Sequence, residues 1–214
     1  MSPQRRFQPD AHSALFACLP FGRKCKIAAS VLGILDKIEI QATDTTNPAD
    51  TIRLQNPLGK IPALILEDGT VLYDSRVIVE YLDFVAGGGC IIPAGEGRFE
   101  VLRLQALADG MQDASILQVY ETRFRPEEKR SGEWISYQAE KVSRALSSLE
   151  AAPPAPVKVT NGVDAGQIAL ACALGYLDLR FEGAWRKQAP HLVTWLDGFE
   201  AHVPMFDKTR VQPA

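Results

Sequence analysis

Short apolar runs of strand length occupy the first third of the chain, and helical spacing replaces them further on. Ala14, Leu15, Phe16 and Ala17 form a run of the buried-strand type. Pro20 then opens a helix reaching about Leu32, since proline suits a first helical position where its missing N–H would be unpaired anyway. Ile27, Ala28, Val31 and Leu32 share one side of it, and Gly33 ends it. Residues 38–42 (Ile-Glu-Ile-Gln-Ala) alternate as a half-buried strand does. Residues 14–42 thus predict a βαβ unit with a parallel strand pair. A weak helix over 48–54 follows, then strands at 63–66 and 71–73 joined through the Asp68-Gly69 turn signal. Val77, Ile78, Tyr81 and Leu82 mark the inward face of the next helix.

Residues 87–95, with four glycines and a proline, read as a linker, and no strand pattern follows them. A long helix over 100–123 turns Val101, Leu104, Leu107, Ala108, Met111, Ala114 and Leu117 inward. A second, over 133–149, places Trp134, Ile135, Val142, Leu146 and Leu149 on one face. The proline-dense stretch 152–156 is a loop. A third helix, 164–181, carries Ala169, Ala171, Ala173 and Gly175, small residues that let neighbours pack closely, so it is expected to be the most buried. A fourth follows Pro190 with Leu192, Trp195, Leu196 and Phe199. The pattern βαβ then ββα is thioredoxin-like. The predicted class is α/β plus all-α: a thioredoxin-like domain at 13–86, a linker at 87–95 and an all-helical domain at 96–214.

Composition narrows the function classes. Over 214 residues the chain is 46% hydrophobic with a net charge of −3, ordinary for a soluble globular protein. The mild acidity and the lack of a basic stripe argue against nucleic acid. No stretch approaches the roughly 20 apolar residues that cross a bilayer. The polar first dozen residues lack the apolar centre of an export signal. Cys18, Cys25, Cys90 and Cys172 are scattered, with no CxxC, and His12, His191 and His202 are far apart. A metal site is not expected, the histidines read as surface residues, and a reduced cytoplasmic setting is the simplest account.

The chemistry concentrates at residues 56–64 (Asn-Pro-Leu-Gly-Lys-Ile-Pro-Ala-Leu) and at Asp74-Ser75-Arg76-Val77-Ile78. Pro62 has no N–H and fits only a strand's first residue or an edge, which frees the backbone of Lys60 and Ile61 for other pairing. Asp74 and Ser75 stand where a helix N-terminus exposes N–H groups that attract a carboxylate. Together these features make a cradle for a small, extended, anionic, peptide-like ligand. The alternative physical reading is an ordinary hairpin followed by a capped helix.

The arrangement resembles the glutathione-binding half of the glutathione S-transferase family, and the two-domain order is similar from about residue 13 to the end. The resemblance implies a cis peptide at Pro62, with Ile61 (and Lys60 beside it) offering main chain to the cysteinyl part of glutathione. It implies that Asp74 and Ser75 hold the γ-glutamyl end; the family more often has Glu-Ser there. Asp164-Ala165-Gly166-Gln167 stands at the place of the family's capping box, where Asp and Gln retain the chemistry of a reciprocal cap. In the family, the group that stabilises the glutathione thiolate lies between the first strand and the first helix. Cys18 is the one side chain with usable chemistry from Ala14 to Pro20, with Ser13 an approach if the register slips. A cysteine there opens thiol–disulfide exchange beside conjugation; the bland alternative for Cys18 is a small buried hydrophobe. Cys25 reads as packing or surface, and Cys90 and Cys172 as structural. Tyr120 and Arg123, with Met111 and Phe206, are candidates for the second-substrate pocket; the alternative reading for each is core or solvated face. Arg23 and Lys24 either steer a glutathione carboxylate or form a solvated charged face. The resemblance further implies a homodimer, with Asp109 and Arg76 as interface polar groups, and a detoxifying transferase acting on an electrophile. The competing expectation is a non-catalytic binding or scaffolding protein with the same fold.

Overall fold

Four short strands and eight helices account for most of the computed structural model, which describes residues 13–16, 20–157 and 162–211. Strand β1 (Ser13–Phe16) runs parallel to β2 (Ile38–Gln41), with α1 (Phe21–Val31) between them in the chain. Strand β3 (Ala63–Ile65) pairs antiparallel with both β1 and β4 (Val71–Leu72), so the sheet order is β2-β1-β3-β4. This is the βαβ–ββα pattern that the periodicity predicts. Side chains of β3 alternate between faces. Ala63 is buried with Ile52 of α2 (Ile52–Gln55), and Ile61, Ile65 and Val71 pack against them. Leu64 instead joins Ile34, Tyr81, Leu82 and Val85 around one crevice, which brings α3 (Ser75–Val85) to the opposite face. Helices α1 and α3 pack on each other.

Two local corrections have physical causes. The helix expected over 48–54 shrinks to α2, because side chains ahead of it take the backbone donors. Asp44, Asn47 and Asp50 accept from the N–H groups of Thr46, Ala49 and Ile52 at 2.9, 3.0 and 2.8 Å, turn bonds that compete with helix. The glycine-rich stretch after α3 is pinned rather than loose. The buried Asp83 carboxylate accepts from the N–H groups of Gly89, Cys90 and Ile91 at 2.8, 2.9 and 2.7 Å.

The chain divides into two compact units, one ending at Arg98 and the other starting at Phe99. The cut falls in the first turn of α4 (Gly97–Phe124). The second unit contains α5 (Gly132–Ala151), α6 (Ala165–Phe181), α7 (Pro190–His202) and α8 (Pro204–Lys208), the last of which the periodicity missed. Helix α6 is its centre, with every residue from Ala165 to Leu174 buried. A Cβ on Gly166 would lie 2.7 Å from the Val101 carbonyl oxygen and 2.9 Å from Leu104 Cβ, so glycine there sets the approach of α4 to α6. The Asp164 carboxylate accepts from the Gln167 N–H at 2.8 Å while the Gln167 side chain accepts from the Asp164 N–H at 3.1 Å, a complete capping box. Burial pushes the Asp164 carboxyl above its ordinary value, against the opposing effect of the Gln167 and Gly166 N–H groups.

Several inward assignments shift. On α5 the buried positions are Gln138, Val142, Ala145 and Leu149, with Ile135 half-buried. Trp134, one residue off that stripe, is exposed and lies 5.9 Å from the Tyr137 ring. On α4, Leu117 is exposed while Gln105, Asp109 and Gln112 are buried. Arg23 and Lys24 do not form a solvated face: they are 4% and 0% exposed, with the Lys24 ammonium 5.7 Å from the Phe21 ring centre. His191 and His202 are exposed. His191 meets Glu150, whose carboxylate accepts from the N–H groups of His191 and Leu192 at 2.9 and 3.0 Å and so caps α7. No helix among the described residues is long and apolar enough to cross a membrane.

Candidate functional site

The β3–β4 hairpin assembles the cradle. Its turn needs Gly69 at φ +82°, while the Asp68 side chain accepts from Thr70 N–H and Leu66 N–H donates to the Thr70 carbonyl, both at 2.8 Å. Leu64 pairs with Leu72 and Ile65 with Val71. β3 begins at Ala63 and β4 ends at Leu72, so the residues just before the one and just after the other leave the hairpin at its open end. Ile61-Pro62 and Asp74-Ser75, separated by a dozen residues of sequence, therefore meet at one end of the hairpin. Phe16, the last residue of β1, pairs with Ala63 at the same end. The Ile61–Pro62 peptide bond is cis, as is Tyr73–Asp74.

Each candidate has a distinct place there. Pro62 and Ser75 are buried, Ile61 is half-buried, and Lys60 and Asp74 are exposed. Asp74 is the N-cap of α3 and accepts from the Arg76 N–H at 3.0 Å through one oxygen. Its other oxygen, and the N–H groups of Ser75 and Val77 in the first turn, have no partner among the described residues. This leaves acceptor and donors side by side at the positive end of an 11-residue helix, suited to the ammonium and carboxylate of an amino-acid end group.

Two further residues support this region, neither given a role there by the sequence. Cys25 is fully buried, and its thiol lies 4.0 Å from the Ser75 carbonyl oxygen, so it touches the start of α3. Only a long-range contact places it there, and no local signal announces it. Asn56 is 2% exposed; its side chain donates to the Lys60 carbonyl at 2.7 Å and accepts from the Leu58 N–H at 3.0 Å. Its Asn-Pro context was a readable turn signal. Cys18 and the alternative Ser13 side chain lie outside the described residues. Tyr120 and Arg123 belong to the helical unit, where both flank Phe124: the Tyr120 ring is 5.0 Å from it, edge-on, and the Arg123 guanidinium 5.4 Å from its centre. Met111 and Phe206 follow the alternative reading: they are core residues at 2% and 1% exposure. Among the described residues no cluster of three or more His, Cys, Asp or Glu gathers that could hold a metal.

Comparison with known proteins agrees with this geometry. Residues 20–84 match the family model for the glutathione S-transferase N-terminal domain. An uncharacterized GST-like protein of Escherichia coli K12, YibF, is 34% identical over 176 residues, covering 81% of this chain and 86% of that protein. A glutathione transferase family member from Pseudomonas fluorescens Pf-5, solved with bound glutathione, superposes with a TM-score of 0.85 at 40% identity, over 95% of this chain and 100% of that one. A glutathione S-transferase from Methylobacillus flagellatus KT, also with glutathione bound, superposes with a TM-score of 0.85 at 34% identity and the same coverage. With this similarity along most of its length, the chain belongs to the glutathione S-transferase family.

Proposed function

We propose that this protein is a glutathione transferase that binds glutathione through Lys60, Ile61, Pro62, Asp74 and Ser75 and transfers its thiol to a small electrophile. The observation that carries the reading is the convergence of Ile61-Pro62 with the open N-terminus of α3. The cysteinyl part of glutathione pairs with the Ile61 main chain, and its γ-glutamyl end group meets the Asp74 carboxylate and the first-turn N–H groups. The glutathione found in relatives of 40% and 34% identity supports the ligand.

The thiol must lose its proton to become the nucleophile. Cys18, ahead of the α1 N-terminus, takes the activating role in this reading and also opens a reductive side reaction. Its thiolate attacks the disulfide of a glutathionylated substrate, expels the substrate thiol, and a second glutathione cleaves the resulting mixed disulfide to leave oxidised glutathione. Tyr120 and Arg123 serve the second substrate. The proposed setting is the cytoplasm, in keeping with four cysteines in no disulfide-like spacing, with detoxification as the physiological role. The proposed assembly is a homodimer, supported by Val77 and Phe84, which sit seven apart on α3 with 47% and 66% of their surface exposed. Asp109 is no candidate for that interface, because it is wholly buried within the single chain, whereas Arg76 is exposed.

Thermal unfolding with and without glutathione tests the core of the proposal. A ligand at one hundred times its Kd adds about 2.7 kcal/mol to the native state. A melting temperature indifferent to millimolar glutathione removes the proposal's basis. Cys18→Ser then separates the roles: loss of transfer with retained binding supports activation by the cysteine, and unchanged transfer refutes it. A glutathione adduct on Cys18 in the intact mass marks the reductive branch.

A further inference from the structure

The loop ahead of Ile61 is built around one carboxamide. Asn56 is 2% exposed and all its polar groups are engaged: its N–H donates to the Ile52 carbonyl at 2.7 Å, its own carbonyl accepts from Gly59 N–H at 2.7 Å, and its side chain makes two further bonds. The carboxamide orientation follows from those partners. A carbonyl can only accept, so the NH2 faces the Lys60 oxygen, and an N–H can only donate, so the oxygen faces Leu58. Gly59, at φ +59°, provides the left-handed step within this loop.

Fixing the Lys60 carbonyl has a consequence one atom further on. The Lys60–Ile61 peptide is trans, since the cis bonds of the described chain lie elsewhere. In a planar trans peptide the C=O and the following N–H point in opposite directions. With the Lys60 oxygen held inward against Asn56, the Ile61 N–H points away from the loop. Among the described residues no group accepts from it.

We propose that Asn56 is a positioning residue for ligand binding: its side-chain NH2 holds the Lys60–Ile61 peptide so that the Ile61 N–H is presented outward to a peptide carbonyl of glutathione. Asn56 touches no ligand itself. The inference rests on the glutathione reading, and it explains why a buried carboxamide sits five residues before the main chain that grips the ligand.

Asn56→Asp is the discriminating variant. It keeps the acceptor for Leu58 N–H but turns the NH2 into an oxygen that repels the Lys60 carbonyl. The peptide then turns over and gives the Ile61 N–H to the carboxylate. Two readouts on the full chain follow. Calorimetric glutathione affinity should fall about five- to tenfold, the loss of roughly one charge-free hydrogen bond, with KM for glutathione raised and kcat at saturation retained. Amide hydrogen exchange without ligand should show Ile61 fast in the wild type and protected in Asn56→Asp. Wild-type affinity in Asn56→Asp overturns the proposal, and so does an Ile61 exchange rate that the substitution leaves unchanged. If the wild type fails to bind glutathione at all, the functional reading falls, while the exchange comparison still decides whether Asn56 orients the peptide.

Discussion

Two helices, one in each unit, begin with an aspartate in the same structural position, and they end up with opposite uses. Asp164 closes α6: one oxygen takes the Gln167 N–H, the Gln167 side chain returns the bond, and the same side chain donates to the Ala155 carbonyl at 3.0 Å. Asp74 caps α3 with a single bond to Arg76 N–H and remains exposed, its first turn still holding unpaired donors. Both are aspartate N-caps, Asp74 taking the N–H two residues on and Asp164 the N–H three residues on, each worth about 1 kcal/mol. What differs is whether the remaining hydrogen-bonding capacity is met inside the protein. A cap whose capacity is met among the described residues acts as a folding device; the proposed function gives the one with spare capacity a binding role.

Substitutions can break that contrast. The largest expected effect belongs to the open cap. Asp74→Ala should weaken glutathione binding at least about tenfold, as a hydrogen bond to a charged group is removed, beside a stability loss of about 1 kcal/mol. Calorimetric titration and denaturant unfolding measure the two separately, and an unchanged affinity erases the distinction between the caps. Gly166→Ala comes next and acts on the closed side. The new methyl meets the Val101 carbonyl and Leu104 Cβ, neither the end of a flexible chain. Overpacking of this kind costs about 1–3 kcal/mol, which outweighs the gain in helix propensity. The expected reading is a lower unfolding midpoint with glutathione affinity preserved. Asp164→Ala should lose about 1 kcal/mol and no affinity. A drop in binding there would show that the helical unit's cap also serves the ligand.

The smallest effect concerns acid. Burial acts to raise the Glu150 carboxyl, but the His191 and Leu192 N–H groups, with the His191 charge and side-chain hydrogen bond, outweigh it and hold the carboxyl below its ordinary value. A folded pKa below the unfolded one means that this contribution is present above the unfolded carboxylate range. It is lost as pH falls through the folded value. Glu150→Gln should therefore narrow the stability difference between neutral and acid pH, read from urea midpoints across that interval. An unchanged slope would assign no weight to this cap of α7.

How much of this was legible before the structure depends on the range of the signal. Strands near 38–42 and 63–66, the Asp68-Gly69 turn, the stop at Gly33 and the cap at Asp164 were readable because each depends on a few adjacent residues. The backbone features at Pro62 and Asp74-Ser75, a strand start and a helix cap, are legible in the same way, since each has local consequences. Trp134 was assigned inward because hydrophobicity alone cannot tell a face from its neighbour 100° away. The packing of Gln138, Val142 and Ala145 decides it. The solvated-face alternative for Arg23 and Lys24 rests on charge normally meaning exposure, and only what surrounds α1 overrides that.

On its own, then, the order of residues settled the periods, the breaks between elements and the helix ends, because those follow from backbone sterics and hydrogen-bond supply within a turn or two. Tertiary structure alone decided which polar groups would be left with spare capacity. The pairing of β3 with β4 brought Ile61-Pro62 and Asp74-Ser75 to the open end of one hairpin, and the fold of residues 56–60 set the Lys60 carbonyl against a buried amide. Satisfaction of a hydrogen-bonding group is a property of everything around it, and distant parts of the chain supply those surroundings.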